Sequence, residues 1–194
     1  MGILYVVSTP IGNLEDVTLR AIRVLKSVDL IAAEDTRTTK RLLSQHSIET
    51  PMTSFHDRNS RGKTPRLLRD LSHRDVALVS EAGTPGISDP GYDLVKGALE
   101  LGFPVLPVPG VSAVTAALAI SGLPIHQFTY LGFLPRRPGP RRRVLQSLSE
   151  ENRTVVAFES PHRLIASLQD ILAIFGDRPI SVCREMTKLY EEIF

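Results

Sequence analysis

A loop rich in glycine and proline, residues 81–91, has the composition of a ligand-binding loop. It follows an apolar run, residues 76–79, that predicts a buried strand, and it precedes a segment with helical spacing, residues 92–99. Open α/β sheets bind ligands in loops of this kind, at the carboxyl ends of their strands. The glycines and prolines of the loop also fix an unusual backbone path that a ligand can approach closely.

The charge of this loop limits what it binds. The loop lacks the Gly-Lys-Ser/Thr ending of a Walker phosphate loop and the Gly-x-Gly-x-x-Gly spacing of a dinucleotide site. It has no cation, and Glu81 and Asp89 stand near its ends. It therefore favours a ligand without phosphates, for example one that carries positive charge. A simpler role for two of its residues is structural, with Asp89 as the N-cap of the next helix and Pro90 at its first position.

Two adjacent acids, Glu34 and Asp35, follow another apolar run at residues 30–33. They stand at the end of a predicted strand, on the edge where ligands bind, so we take both as candidates for a general base. The alternative for this segment is a surface N-cap for the next helix, and for Thr36 that alternative is favoured.

The remaining candidates are histidines and arginines. His56 and His162 can act as bases, but histidines in loops are more often solvated side chains. A predicted strand at residues 128–134 precedes the most basic stretch of the chain, residues 135–143. Its prolines alternate with arginines, which predicts an extended arm, whereas the alternative is a solvated charged surface.

Composition describes an ordinary globular chain of 194 residues with a net charge of +2. That charge is too small to indicate a nucleic-acid binder by itself, so any such function must rest on local clusters. The single cysteine, Cys183, excludes an internal disulfide and is typical of a reducing cytosol. No metal site is expected, because zinc-type Cys/His spacing is absent. No apolar run is long enough to span a bilayer, and we expect a cytoplasmic protein without membrane association.

Strands alternate with helices in the first 123 residues, which predicts an α/β domain with a mainly parallel sheet. The first helix has Asp16 as a plausible N-cap, and residues 65–71 predict a short helix. Residues 111–120 are small or apolar on every side, which is typical of a buried helix with Ser112 and Thr115 in its first turns. The predicted strands are residues 3–7, 30–33, 76–79 and 105–108.

The character of the chain changes near residue 123, where we place a domain boundary between residues 1–123 and 124–194. The second part predicts strands at residues 154–158 and 180–183, and a helix after Arg163 that Gly176 ends. Its length is near the lower limit for an independent core, and no closing element follows.

Six motifs that follow one another along the chain carry a resemblance to one family. The motifs are Ser8–Leu14, Ala33–Arg37, Ser80–Gly91, Pro109–Ala113, Phe158–Arg163 and Arg184–Lys188. By these motifs the chain resembles, from residue 3 to its last residue, the bacterial small-subunit ribosomal RNA (cytidine-2′-O)-methyltransferases, a branch of the tetrapyrrole-methylase superfamily.

The resemblance implies two α/β domains, of which the second is incomplete here because family members are longer. It also implies S-adenosylmethionine as cofactor, held in the cleft between the domains, and a homodimer. By family position, the cofactor-binding residues are Pro10, Ile11, Ala82, Gly83, Thr84, Ile87, Ser112, Ala113, Phe158 and Glu159. Thr84 stands where the wider superfamily has an aspartate, so the hydrogen bonds of that aspartate do not carry over.

The implied reaction is methylation of the 2′-oxygen of a cytidine ribose in small-subunit (16S) ribosomal RNA, free or in the assembled subunit. Glu34 and Asp35 are the candidate catalytic residues. The candidate RNA-binding residues are Arg37, Arg136, Arg137, Arg141, Arg142, Arg143, His162 and Arg163. The alternatives are a methylase of the same fold that acts on a tetrapyrrole or a protein, and a cofactor- and RNA-binding module without turnover.

Overall fold

The computed structural model describes all 194 residues and divides them into two compact units. Unit 1 contains Met1–Ala113 together with Met186–Leu189, and unit 2 contains Val114–Glu185 together with Tyr190–Phe194. The division lies between residues 113 and 114, earlier than the boundary placed near residue 123.

Unit 1 is built on a parallel sheet of five strands in the order β3-β2-β4-β1-β5. This confirms the predicted α/β class with its mainly parallel sheet. The elements in chain order are β1 Leu4–Val7, a 3₁₀ turn Leu14–Asp16, α1 Leu19–Ser27, β2 Leu30–Ala33, α2 Thr36–Gln45, β3 Met52–Ser54, α3 Asp57–Asp70, β4 Val76–Val79, α4 Tyr92–Glu100 and β5 Val105–Val108.

Helices cover both faces of this sheet, which explains why its strands are apolar runs without alternation. Alternate residues of a strand point to opposite faces. On one face Ile31 and Ala77 pack with α1 and α2. On the other face Leu4 and Leu78 pack with α3 and α4.

The β5 edge of the sheet carries a proline. Pro107 lies inside β5 and pairs in register with Val6 of β1. Its carbonyl oxygen accepts a hydrogen bond from the Arg20 guanidinium at 3.1 Å. Prolines within sheets are confined to positions such as this edge, because they have no N–H for a ladder.

Two predicted helix caps of unit 1 are wrong. The N-cap of α1 is Thr18, whose hydroxyl accepts from the Ala21 N–H at 3.0 Å, because Asp16 is already part of the preceding 3₁₀ turn. The N-cap of α4 is Gly91, with a φ of 150°, so neither Asp89 nor Pro90 belongs to the start of that helix.

Helix α3 begins eight residues earlier than the predicted start at Pro65, because His56 and Asn59 cap it. The Asn59 side-chain oxygen accepts from the His56 N–H at 2.9 Å. The helix then continues through Pro65 at the cost of one backbone hydrogen bond.

Unit 2 has less regular structure. Strands β6 Phe128–Phe133 and β7 Thr154–Phe158 pair in parallel, while β8 Cys183–Arg184 and β9 Glu192–Ile193 pair in antiparallel fashion. Its helices are α6 Pro138–Gln146 and α7 Leu164–Phe175, and α5 Ala113–Ile120 begins at the division between the units. Gly176 ends α7 as expected, with a φ of 72°.

Three expectations for this part of the chain are corrected. From Pro138 onward the basic stretch is helical rather than an extended arm, since Pro138 stands at the first position of α6, where proline favours a helix. The strand predicted at residues 180–183 is reduced to the two residues of β8. Helix α5 is not buried on all sides: Val114 and Leu118, one turn apart, are buried, while Ile120 is 46% exposed. No helix of either unit is both long enough and apolar enough to cross a bilayer.

An ion pair that is almost fully buried joins α6 to α7. Arg141 is 3% exposed, and its Nε donates to Asp170 Oδ2 at 2.8 Å. Arg142 Nε donates to the other oxygen at 2.7 Å, although its own side chain is 65% exposed. Hydrogen bonds from Arg142 and Arg141 hold the pKa of the Asp170 carboxyl below its usual range. Arg141 is therefore a packing residue, and its placement among the RNA-binding arginines is wrong.

We expect Asp170→Asn to lower the melting temperature by several degrees, because it leaves the Arg141 charge buried without a carboxylate. Arg142→Gln is the matched control and should change the melting temperature little, since its guanidinium is largely solvated. Thermal unfolding followed by circular dichroism measures both. Equal effects of the two substitutions would contradict a buried pair.

Candidate functional site

Three loops of unit 1 meet at the carboxyl ends of the adjacent strands β4, β1 and β5. Thr9 and Gly83 exchange two backbone hydrogen bonds, both of 2.9 Å, which join the loop after β1 to the loop after β4. The hydroxyls of Ser8 and Thr84 lie 2.9 Å apart and make a second link. Thr84 Oγ1 also lies 3.5 Å from the carbonyl of Val111, after β5. The loops thus form one hydrogen-bonded group.

Two glycines give the loop after β4 its path. Gly83 and Gly86 have backbone φ values of 79° and 82°, which residues other than glycine rarely adopt. A Cβ built on Gly83 would lie 3.5 Å from Ile11 Cγ2, in ordinary contact, whereas one on Gly86 would meet nothing within 4 Å. The next side chain, Ile87, is 48% exposed. The backbone at Gly86 and the apolar side chain of Ile87 therefore border open space that a ligand can fill.

The structure brings most of the predicted cofactor residues to this group of loops. Pro10 is buried and Ile11 half-buried after β1, and Ser112 and Ala113 stand where α5 begins. The eight residues predicted within unit 1 are Pro10, Ile11, Ala82, Gly83, Thr84, Ile87, Ser112 and Ala113. Their shared position at the carboxyl edge of the sheet is the one that α/β folds use for ligands.

The other two predicted cofactor residues belong to unit 2 and have partners there. The ring of Phe158 contacts Tyr130 edge-on, with centroids 5.5 Å apart. The Glu159 carboxylate accepts from the Ser160 N–H at 2.6 Å and from the Ser167 hydroxyl, and it pairs with Arg163 at 2.6 Å. Within unit 2, Glu159 therefore orients the segment between β7 and α7.

Glu34 connects the loop after β2 to the same group of loops. Its Oε2 accepts from the backbone N–H of Glu81 at 3.0 Å, and its own N–H donates to the Val79 carbonyl at 3.1 Å. Glu34 thereby fixes the start of the loop after β4, whatever else it does.

Asp35 is the N-cap of α2. Its Oδ1 accepts from the backbone N–H groups of Arg37 at 2.7 Å and Thr38 at 3.2 Å. Hydrogen bonds from the side chain and backbone of Arg37 lower the pKa of Asp35 to about 2. The cap is therefore Asp35 and not Thr36, which is the first residue of α2. A carboxylate this acidic is a weak base.

Asp89 is the candidate residue of this edge that the sequence patterns do not identify, because they predict only a helix cap there. Burial, followed by the charge of Glu34, raises the pKa of Asp89 to about 6, while a hydrogen bond from Ser80 acts in the opposite direction. A small pocket of about 170 Å³ adjoins it, lined also by Phe55, Asp57, Ser60 and Tyr92. The signal in the sequence for Asp89 is an acidic residue that lies between Gly86 and Gly91 of the loop, directly before Pro90.

The two candidate histidines have different surroundings. His56 is half-buried, and its ring nitrogen lies 3.1 Å from the Asn59 amide, within the cap of α3. His162 is exposed in a 3₁₀ turn, Pro161–Arg163. His56 thus has a structural role, and His162 remains solvated.

The electrostatics of this edge are acidic. The charges of Glu34, Asp57 and Glu81 all contribute to the raised pKa of Asp89. Arg37, three residues after Glu34, is already paired with Asp35 at 3.0 Å. An acidic edge with open backbone at Gly86 fits a cationic ligand without phosphates, as the loop composition predicts. A sulfonium cofactor meets both conditions.

Comparison with family models decides the relationship. Residues 3–194 match the model described as Tetrapyrrole (Corrin/Porphyrin) Methylases. The chain belongs to this family. Membership confirms the predicted methyltransferase class and the cofactor S-adenosylmethionine. It also confirms the predicted fold class.

Relatives with assigned names agree with the branch that the motifs indicated. The ribosomal RNA small subunit methyltransferase I of Halalkalibacterium halodurans is 53% identical over 192 residues, or 98% of this chain and 66% of that protein. The protein of the same name from Thermotoga maritima is 53% identical over 195 residues, covering 100% and 87% of the two chains. The chain thus spans about two thirds of the first relative.

A solved structure shares the fold at low sequence identity. The crystal structure titled diphthine synthase superposes with a TM-score of 0.76 at 13% identity, over 100% of this chain and 80% of that one. At this identity the likeness concerns the fold alone.

The ionisation of Asp89 should make stability depend on pH. Its folded-state pKa of about 6 lies above its ordinary value of 3.8, so stability falls as the pH rises through that interval. Asp89→Asn should therefore melt at a higher temperature than the unmodified protein above about pH 7, and at the same temperature below about pH 3.5. Melting curves across this range measure the difference. If the variant's higher melting temperature does not change with pH, the stabilisation comes from packing and not from the ionisation of Asp89.

A side chain at Gly86 should interfere with the cofactor. We expect Gly86→Val to weaken S-adenosylmethionine binding about tenfold or more, because it changes the backbone path and fills the open space. Gly102→Val is the matched control, since Gly102 also has a positive φ, 74°, and open surroundings, but lies between α4 and β5. Isothermal titration calorimetry measures both. Equal affinities in the two variants would exclude Gly86 from the site.

Proposed function

We propose that this protein methylates small-subunit ribosomal RNA with S-adenosylmethionine as the methyl donor. The observation that carries the proposal is the 53% identity, over nearly the whole chain, to relatives named ribosomal RNA small subunit methyltransferase I. The edge of unit 1 is acidic, and its loop lacks a phosphate-binding motif. It therefore supports the choice of cofactor, because S-adenosylmethionine carries a positive sulfonium and no phosphate.

We further propose the 2′-oxygen of a cytidine ribose as the acceptor. This finer assignment rests on the six motifs shared with the cytidine-2′-O branch, from Ser8–Leu14 to Arg184–Lys188. A ribose hydroxyl is a weak nucleophile, so the reaction needs precise alignment and a route for one proton. Alignment of two reactants supplies about 7–11 kcal/mol of barrier lowering, and a general base about 10²–10⁴-fold in rate.

The cofactor supplies an activated methyl group, and this chain supplies the surroundings. In unit 1, Gly86 and Ile87 would contact the cofactor at the open side of the loop after β4. Ser8 and Thr84, which bond each other at 2.9 Å, would hold that loop in place. Phe158 and Glu159 of unit 2 remain proposed contacts by family position.

Asp89 is our proposed proton acceptor. The Asp89 carboxylate would accept the proton that the ribose hydroxyl loses when its oxygen is methylated, and the cofactor, when bound, would supply the methyl group and leave as a neutral thioether. A base works best when its pKa is near the working pH, and about 6 satisfies this better than the value of about 2 at Asp35. Glu34 then acts as a positioning residue through its bond to the Glu81 N–H.

RNA contacts are assigned to exposed arginines around the start of α6. Arg136, Arg137 and Arg143 are exposed, and Arg142 is exposed but shares Asp170. Further along, His162 is exposed, whereas Arg163 is engaged with Glu159. Arg37, which is 90% exposed although paired with Asp35, stays a candidate phosphate ligand. Guanidinium groups bind phosphates bidentately, which favours this role.

Two rival functions remain to be tested against this one. A methylase of a tetrapyrrole or a protein would use the same cofactor edge but have no need of exposed arginines near α6. A module that binds cofactor and RNA without turnover would bind both and transfer nothing. A homodimer, taken from the family resemblance, and a cytoplasmic location, expected from the composition, are also proposals.

Single-turnover methyl transfer to small-subunit ribosomal RNA tests the proposal. We expect Asp89→Asn to lower the rate by about 10²–10⁴-fold and to remove a rise in rate with pH through about 6. Glu34→Gln should lower the rate less, and Asp35→Asn least, because asparagine also caps helices.

Separate titrations of cofactor and RNA provide the controls for these rates. An unmodified protein that binds both without transfer would identify the module, and labelled methyl groups on a base would exclude the ribose. If Asp89→Asn keeps the wild-type rate, a group other than Asp89 accepts the proton.

A further inference from the structure

Helix α3 has an exposed surface on which arginine is the main residue, at four of seven exposed positions. Its exposed residues are Asp57, Arg58, Arg61, Gly62, Pro65, Arg66 and Arg69. No large apolar side chain is among them. We call the four arginines the α3 stripe.

The spacing of these arginines places them on one side of the helix. They follow one another at intervals of three, five and three residues. At about 100° per residue, all four fall within an arc of about 140°. At about 1.5 Å per residue, the distance from the first to the last along the axis is about 16 Å. The stripe is therefore a linear array of positive charge.

The α3 stripe has no acidic partner, although the structure describes every residue of the chain. No ion pair or side-chain hydrogen bond involves Arg58, Arg61, Arg66 or Arg69. The neighbouring Lys63 is different, since its ammonium donates to Thr53 and to Ser54 at 2.7–3.0 Å. The fold thus uses the lysine of α3 and leaves its four arginines free.

The stripe starts at the functional edge of unit 1. Helix α3 begins directly after β3, at the carboxyl end of that strand, and its first turn lines the pocket beside Asp89 through Asp57 and Ser60. Arg58 lies within this first turn, and Arg69 lies near the far end. A nucleic-acid strand bound along the stripe would therefore have one end next to Asp89, the candidate proton acceptor.

We propose that the α3 stripe binds the sugar-phosphate backbone of the substrate RNA beside the nucleotide that is methylated. The inference rests on the proposed function and adds a surface in unit 1 to the arginines near α6. An array of unpaired arginines fits the regular charge of a nucleic-acid strand, and about 16 Å corresponds to about five steps of about 3.4 Å in one strand of a duplex. A membrane surface is disfavoured, since interfacial helices need large apolar residues beside their cations.

The test compares Arg61→Gln/Arg69→Gln with the control Arg23→Gln/Lys26→Gln in binding to a small-subunit ribosomal RNA transcript. The control residues are exposed on α1, which covers the other face of the sheet. We expect the stripe variant to bind roughly tenfold more weakly, with a salt slope smaller by about 1.4–1.8 than that of the unmodified protein. The control should keep the affinity and the slope, and Arg61→Lys/Arg69→Lys should restore most of the slope.

Each other outcome has a defined meaning. If the unmodified protein does not bind the transcript, the proposed function fails together with this inference. If all the proteins bind equally with equal slopes, the inference alone fails. If the stripe variant loses binding to phosphatidylserine vesicles but not to RNA, the surface serves a membrane and the inference is wrong. Melting temperatures of all variants verify that they are folded.

Discussion

The pair of backbone hydrogen bonds between Thr9 and Gly83 is the constraint on which the candidate site depends. Gly83 reaches this position with a φ of 79°, which is available to glycine at little cost. Once the two loops are joined there, the hydroxyls of Ser8 and Thr84 lie within bonding distance. The polar edge of unit 1 therefore depends on backbone geometry as much as on side chains.

The order of the strands explains why the loops separate beyond that point. β1 and β4 are neighbours in the sheet, yet the helix that follows β1 packs on one face and the helix that follows β4 packs on the other. Chains that leave neighbouring strands in opposite directions open a crevice between them, and ligands of parallel sheets bind in such crevices. The same arrangement brings α3, with its arginines, to the edge where the crevice opens.

Sequence patterns predicted the strands β1, β2, β4 and β5, because a short apolar run between turns, such as Val76–Val79, is typical of a buried parallel strand. They did not predict the edge strand β3, Met52–Ser54, whose residues are only half-buried. They also located the loop after β4, whose glycines need positive φ. They failed where tertiary contacts decide. Nothing local distinguishes Arg141 from Arg143, since only the position of Asp170, 29 residues later, buries one and leaves the other in solvent. Asp89 was missed for a similar reason, because the burial that chiefly raises its pKa depends on the tertiary fold, as do the charges of Glu34 and Asp57 that add to it.

Pro107 has a consequence for how copies of the molecule meet. A sheet edge with unpaired N–H and C=O groups is a template for another strand, and such pairing leads to aggregation. At this edge the proline has no N–H to donate, and its carbonyl is already bonded to Arg20. Strand addition is thereby blocked at this position, so copies of unit 1 cannot extend one another into a continuous sheet through Pro107.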